Sequence, residues 1–133
     1  MRAYWDASAV LALIFIEADS KGACSARDQT REVYAWSWMQ VELATGLSRR
    51  GASPSQADAL TRFTERVFWL DLPATDFPAM AKANETWRLR SADAGHLYCF
   101  QQAAQILPDL HLVCFDRELS AAARAEKLRV WKP

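Results

Sequence analysis

RAYWDASAVLAL, residues 2–13, reads as a short extended run that turns at once into an apolar helix, with Asp6 at the joint. Arg2 to Trp5 gives the strand and Ala7 to Phe15 the helix. An acid where a buried strand ends either caps the helix that follows or holds something at the end of the sheet. Which of the two applies depends on what the rest of the chain brings to that place.

The remaining 120 or so positions repeat the pattern often enough to set a fold class. Asp19 to Thr30 is polar and small and reads as a second helix. Glu32 to Trp36 alternates and is rich in Val, Tyr and Trp, a strand, and Trp38 to Arg50 is a helix stopped by Gly51. Ser53-Pro54-x-Gln56 starts a further helix, with an N-cap serine, proline at the first helical position and glutamine at the capping-box position; it runs to about Val67. Phe68 to Leu72 is a strand closed by Pro73, Thr75 or Asp76 caps a helix reaching Trp87, and Ser91 opens a helix to about Leu107. Leu110 to Phe115 is a strand, Arg117 to Lys127 a helix, and Arg129 to Trp131 a last short strand. Strands alternating with helices predict an α/β fold, with a mostly parallel sheet of about five short strands and helices on both faces. No linker or repeat interrupts residues 1–133, so one domain is expected.

Composition narrows the function. Half of the 133 residues are apolar (51%), enough for a real core. Sixteen basic and sixteen acidic residues cancel, so no global field draws nucleic acid. Any such partner has to be held by a local patch. The longest apolar run, Ala9 to Ile16, is too short to span a bilayer, and no basic stretch with a cleavage site precedes it. Cys24, Cys99 and Cys114 are odd in number and form no C-x-x-C, which reads as reduced thiols. The expectation is a cytoplasmic protein with no membrane contact.

Two acids are expected where a parallel sheet places its ligands, and the N-terminus of the helix carrying a third could lie there too. Asp6 follows the first strand, Asp116 follows LHLVCF, and Asp93 lies in the first turn of the helix opening at Ser91. Glu42 lies inside its helix near the face that should pack. Ligands of open parallel sheets bind outside the carboxyl ends of the strands. Each acid also has a plainer explanation: Asp6 and Asp116 are good N-caps, Ser8 is another, and an aspartate in a first helical turn suits the dipole. On that basis the alternative to a catalytic site is a non-catalytic α/β interaction module whose acids are helix caps. No Gly-rich phosphate loop follows the first strand, which argues against a nucleotide-binding domain.

Taken in order, DASAVLAL, VELATGLSRR, LRSADAGHLYCFQQA and LVCFDRELSAAA resemble the PIN-domain ribonucleases, in particular the VapC toxins of bacterial toxin–antitoxin pairs. In that family an Asp ends strand one, a Glu sits on the helix after strand two, an Asp opens a D-A-x-H-L helix, and an Asp ends the strand of a T-x-D-x-x-L segment. Asp6, Glu42, Asp93 and Asp116 match those places, and the resemblance runs from Arg2 to about Trp131. Three positions depart from the usual pattern: Cys114 replaces a small hydroxyl residue, Gly95 interrupts a helix between Ala94 and His96, and Trp5 is bulky for its strand.

The resemblance implies a metal-dependent endoribonuclease whose carboxylates Asp6, Asp93, Asp116 and Glu42 hold Mg²⁺, with Mn²⁺ acceptable at the same oxygens. It also implies a homodimer and a small VapB-like antitoxin as partner. Ser8 is placed to orient Asp6 or a bound water. His96 matches the family's histidine and reads as a structural residue bonded near the site, while His111 has no evident role. Glu118 reads as a solvent-facing helix residue. RNA approaching an acidic pocket needs flanking cations, and Arg49 and Arg50, ending Glu42's helix, and Arg88 and Arg90, preceding Asp93's, are the candidates for phosphate contact.

Overall fold

The computed structural model describes residues 1–133. Its first strand, β1 (Arg2–Trp5), shows why RAYW carries so little polar alternation. Ala3 and Trp5 enter the core on one face of the sheet and Tyr4 enters the core on the other. Side chains alternate across a strand, so a central strand of a parallel sheet needs apolar residues on both faces.

The sheet has four strands in the order β3-β2-β1-β4, all parallel, with β2 at Glu32–Trp36, β3 at Val67–Leu70 and β4 at His111–Val113. Helices α1 (Ala7–Ile14), α2 (Ser20–Gln29), α3 (Met39–Arg50), α4 (Pro54–Thr64), α5 (Phe77–Trp87), α6 (Ser91–Ile106) and α7 (Arg117–Ala125) fill the connections. One core, built on Trp5, Val10, Met39 and Leu43, gathers residues of α1 to α4. The other, built on Tyr4, Leu97, Phe100 and Leu119, gathers residues of α6 and α7. None of the helices is long and apolar enough to cross a membrane.

The local signals hold. Gly51 ends α3 in the left-handed region at φ 61°, a conformation glycine adopts without steric cost. Ser53 and Gln56 form a reciprocal capping box at the start of α4.

The strand ends differ from the sequence expectation. β3 begins at Val67 and stops at Leu70 rather than running from Phe68 to Leu72, because Leu70 pairs with Trp36, the last residue of β2. Beyond it Ser37 turns away and donates to Asp71 at 2.6 Å. β4 covers three residues of the six expected. The anticipated strand at Arg129–Trp131 is a single parallel bridge, Leu112 to Val130. A 3₁₀ turn (Ala74–Asp76) precedes α5, and Asp76 makes no side-chain cap bond there.

The chain lays down β1, β2 and β3 in one direction, then returns past β1 to place β4 on its other side. The strand order therefore reverses between β1 and β4. At that reversal the connections leave the sheet in opposite directions, which opens a crevice at the carboxyl ends of the two strands.

Candidate active site

Asp6 and Asp116 stand at this reversal. Trp5 pairs with Val113, and the Asp6 N–H donates to the Val113 carbonyl at 3.2 Å, so the ladder between β1 and β4 ends at the first acid.

Asp6 does cap α1: its Oδ1 accepts from the Ala9 N–H at 3.1 Å and from the Ser8 hydroxyl at 2.7 Å. Its Oδ2 accepts from the Cys114 thiol at 3.1 Å. The group is 4% exposed. Burial pushes its carboxyl above the ordinary range, against the pull of His96 and of those three donors. Three hydrogen bonds thus fix an acid in a place that disfavours its charge, more than a helix cap requires.

Ser8 links the two loops that carry the aspartates. Besides donating to Asp6, its Oγ accepts from the Phe115 N–H at 3.0 Å, tying the β1–α1 turn to the segment after β4. Asp116 caps α7 through Oδ1, which accepts from the Leu119 N–H at 2.9 Å; its Oδ2 has no hydrogen-bond partner.

Asp93 behaves differently. It lies in the first turn of α6, yet neither carboxylate oxygen accepts a bond from the chain. Its carboxyl is held above the ordinary range first by partial burial, then by the charge of Asp116 and that of Asp6, with Glu42 adding and His96 opposing. The other three acids singled out in the sequence therefore lie within electrostatic reach of Asp93.

Glu42 projects from α3 and is hydrogen-bonded to Nε2 of His96, whose other nitrogen, Nδ1, meets the Tyr4 hydroxyl at 2.8 Å. Tyr4 is fully buried, and its oxygen also accepts from the Trp36 N–H at 3.3 Å. The His96 ring packs edge-on to Trp36, with centroids 5.4 Å apart. A Cβ on Gly95 would lie 2.4 Å from Cζ3 of that indole, which explains a glycine inside α6: Trp36 occupies the space. Tyr4 is the one member of this group that the sequence reading did not single out. The available signal was a single hydroxyl between Ala3 and Trp5 in a strand whose only charge is Arg2 at its start.

Among the cations, Arg50 pairs with Glu17 at 2.6 Å and lies over the Phe15 ring, so it faces α1 rather than standing free. Arg90 occupies the N-cap position of α6, three residues before Asp93, and Arg88 ends α5 in the left-handed region. Both are exposed, as is Arg49, and none of the three has an ion-pair partner. His111 bonds only to the Asp109 carbonyl, and Glu118 faces solvent.

The donors suit a hard divalent cation in kind, since all are carboxylate oxygens, and both oxygens of Asp93 and one of Asp116 are uncommitted. As the side chains stand, no three His, Cys, Asp or Glu residues gather tightly enough to close around one ion, so binding would have to draw them inward.

No family model matches the chain. Among individual proteins it is 30% identical over 130 residues to Ribonuclease VapC35 of Mycobacterium tuberculosis, in each of two strains, covering 98% of this chain and 96% of that one. The chain belongs to the VapC family of ribonucleases. The fold agrees: the crystal structure of PAE2754 from Pyrobaculum aerophilum superposes with a TM-score of 0.59 over 92% of this VapC chain and 84% of its own, at 23% identity.

Proposed function

We propose that this protein is a metal-dependent endoribonuclease that hydrolyses RNA phosphodiester bonds, and that it is the toxin of a VapBC-type toxin–antitoxin pair. The observation that carries the reading is Asp93, an uncapped, half-buried carboxylate crowded by the charges of Asp116, Asp6 and Glu42. Asp6 and Asp116 each cap a helix, whereas Asp93 and Glu42 cap nothing. Mutual repulsion of this kind is what a bound divalent cation relieves.

Asp6, Asp93 and Asp116, with Glu42, would hold Mg²⁺, or Mn²⁺ in its place. Bound there, the ion supplies charge neutralisation at a phosphate and a lowered pKa for water. The chain's own residues do the rest. Ser8, Cys114 and the Ala9 N–H fix both oxygens of Asp6. Tyr4 holds His96, and His96 holds Glu42. Asp6 and Glu42 are thereby oriented by the buried residues Cys114, His96 and Tyr4 rather than by loop side chains alone.

The family assignment favours RNA as substrate, a small VapB-like antitoxin as inhibitor, a homodimer as the working unit and the cytoplasm as its location. Exposed apolar side chains on α3 (Val41) and α5 (Phe77), together with Trp38, supply surface that protein partners would cover. The test is RNA cleavage by purified protein with Mg²⁺ and with EDTA, beside an Asp93→Asn variant. Cleavage that needs the metal and disappears in the variant is expected. Cleavage that persists in EDTA or in the variant would overturn the assignment.

A further inference from the structure

A cleft of about 710 Å³ opens between α2, α7 and the last residues of the chain, and its inner wall includes Asp116. Of the four acids only Asp116 lines it, so the cleft borders the acidic site on the α7 side. Lys21 on α2, Arg117 and Arg124 on α7, and Lys132 line it. All four are exposed, and none pairs with a carboxylate. Away from the site itself, Asp19 is the only acid in the lining.

In a chain whose charges cancel overall, four unpaired cations against two acids, Asp19 and Asp116, make a local positive lane. Its geometry is built in. Gly22 lets α2 settle on the segment after β4, since a Cβ there would come within 3.1 Å of the Phe115 ring. Arg117 and Arg124 are seven residues apart, two turns of one helix face, roughly 10 Å along the axis. That spacing suits an extended polyanion better than a compact ligand.

We infer that this cleft is the track along which the backbone of single-stranded RNA reaches the site, with Lys21, Arg117, Arg124 and Lys132 contacting phosphates. The inference rests on the ribonuclease reading above. An acidic pocket repels its own substrate, and the lane beside Asp116 supplies the opposite charge at the point of entry. It also relocates the principal phosphate contacts from the pairs beside α3 and α6 to α2 and α7, where the cations converge on one concave surface.

The test compares two triple variants with the unmodified protein. Lys21→Gln, Arg124→Gln and Lys132→Gln remove three of the four lane cations and leave Arg117 beside Asp116. Arg31→Gln, Arg62→Gln and Arg66→Gln remove the same charge near the amino-terminal edge of the sheet, where β2 and β3 begin. Binding of a labelled single-stranded RNA oligonucleotide is measured in EDTA at several salt concentrations, with circular dichroism confirming that each variant folds. Each phosphate contact on a single strand contributes about 0.7 to the slope of log affinity against log salt, so the lane variant should lose roughly 2 from that slope and bind at least about tenfold more weakly at moderate salt. The edge variant should change much less. Equal losses in both variants, or none in either, would overturn the cleft while leaving metal-dependent cleavage standing. An unmodified protein that neither binds nor cleaves RNA would remove the ribonuclease reading and the cleft with it.

Discussion

His96 joins Glu42 of α3 to Tyr4 of β1. Nε2 bonds the Glu42 carboxylate, 54 positions away in sequence, and Nδ1 meets the Tyr4 hydroxyl at 2.8 Å. The ring is 1% exposed and walled by Trp36, so it has little freedom to reorient. The direction of Glu42 is therefore set from inside the core. Tyr4→Phe should remove the anchor while keeping the packing. It strands Nδ1 of His96 and the Trp36 N–H, a loss of about 1–3 kcal/mol in stability by urea denaturation. Turnover on RNA should fall roughly 10–100-fold, the usual effect of losing a group that orients a ligand-bearing side chain. A stable variant with unchanged turnover would show that Glu42 needs no such support.

Gly95→Ala should be worse for folding than an alanine in a helix normally is. Alanine outranks glycine in helix propensity by up to about 1 kcal/mol, but its Cβ would stand 2.4 Å from the Trp36 indole. The indole is pinned against His96, so the clash should dominate at roughly 1–3 kcal/mol. Gly46→Ala offers the contrast. Its Cβ comes closest to the two terminal methyl carbons of Leu11, at 2.9 Å, and those lie at the end of a flexible side chain. The second variant should melt within a few degrees of the unmodified protein and the first well below it; the reverse order would exclude this account of Gly95.

Asp93→Asn separates the role of a charge from the role of a fold. Asp93 accepts no hydrogen bond from the chain, so the amide costs no contact. It also removes a charge that Asp116, Asp6 and Glu42 repel. Without divalent metal the variant should melt no lower than the unmodified protein. With Mg²⁺, only the unmodified protein should gain stability, because a ligand that binds the folded state alone raises its melting temperature. A matching Mg²⁺-dependent gain in the variant would take Asp93 out of the metal site.

These contrasts also mark how much the sequence could say. The four acids were legible because three of them end strands or open helices, and the fold class because helix and strand periods alternate along the chain. Strand lengths were not. A strand extends only as far as its neighbour continues, and β2 stops at Trp36. Gly95 stood out as anomalous, but its reason is an indole 59 positions earlier. The cationic cleft was invisible, since Lys21, Arg124 and Lys132 lie too far apart in sequence for any local pattern to join them. Arg50 erred in the other direction: its place at a helix end suggested a free cation, and the fold supplied Glu17 as its partner.

Cys114 departs from the family pattern without departing from its chemistry. Burial raises its thiol far above the ordinary range, with the Asp6 charge adding, so it stays protonated and donates to Asp6 Oδ2 at 3.1 Å. A hydroxyl does the same, so Cys114→Ser should retain most of the RNA cleavage. Cys114→Ala leaves Oδ2 of a buried acid without its donor, which should cost about 1–3 kcal/mol and lower turnover. Equal activity in the two variants would show that the donor does not matter.

Ser8 is the most economical place to uncouple the two aspartate loops. Its hydroxyl donates to Asp6 and accepts from the Phe115 N–H, so one atom sets the spacing between the end of β1 and the segment leading to Asp116. Ser8→Ala removes both bonds at once. The half-buried Phe115 N–H then lacks its acceptor, and Asp6 keeps only Ala9 and Cys114 as donors. The expected loss is about 1–3 kcal/mol in stability, with a larger effect on cleavage, because Asp6 and Asp116 no longer share a fixed reference. Ser8→Thr retains the hydroxyl and should recover part of both. The deciding measurement is the Mg²⁺ concentration giving half-maximal cleavage: it should rise in Ser8→Ala and move back towards that of the unmodified protein in Ser8→Thr. If Ser8→Ala lowers the melting temperature but leaves the metal requirement unchanged, Ser8 supports the fold alone, and the spacing of the aspartates is set by the β1–β4 ladder.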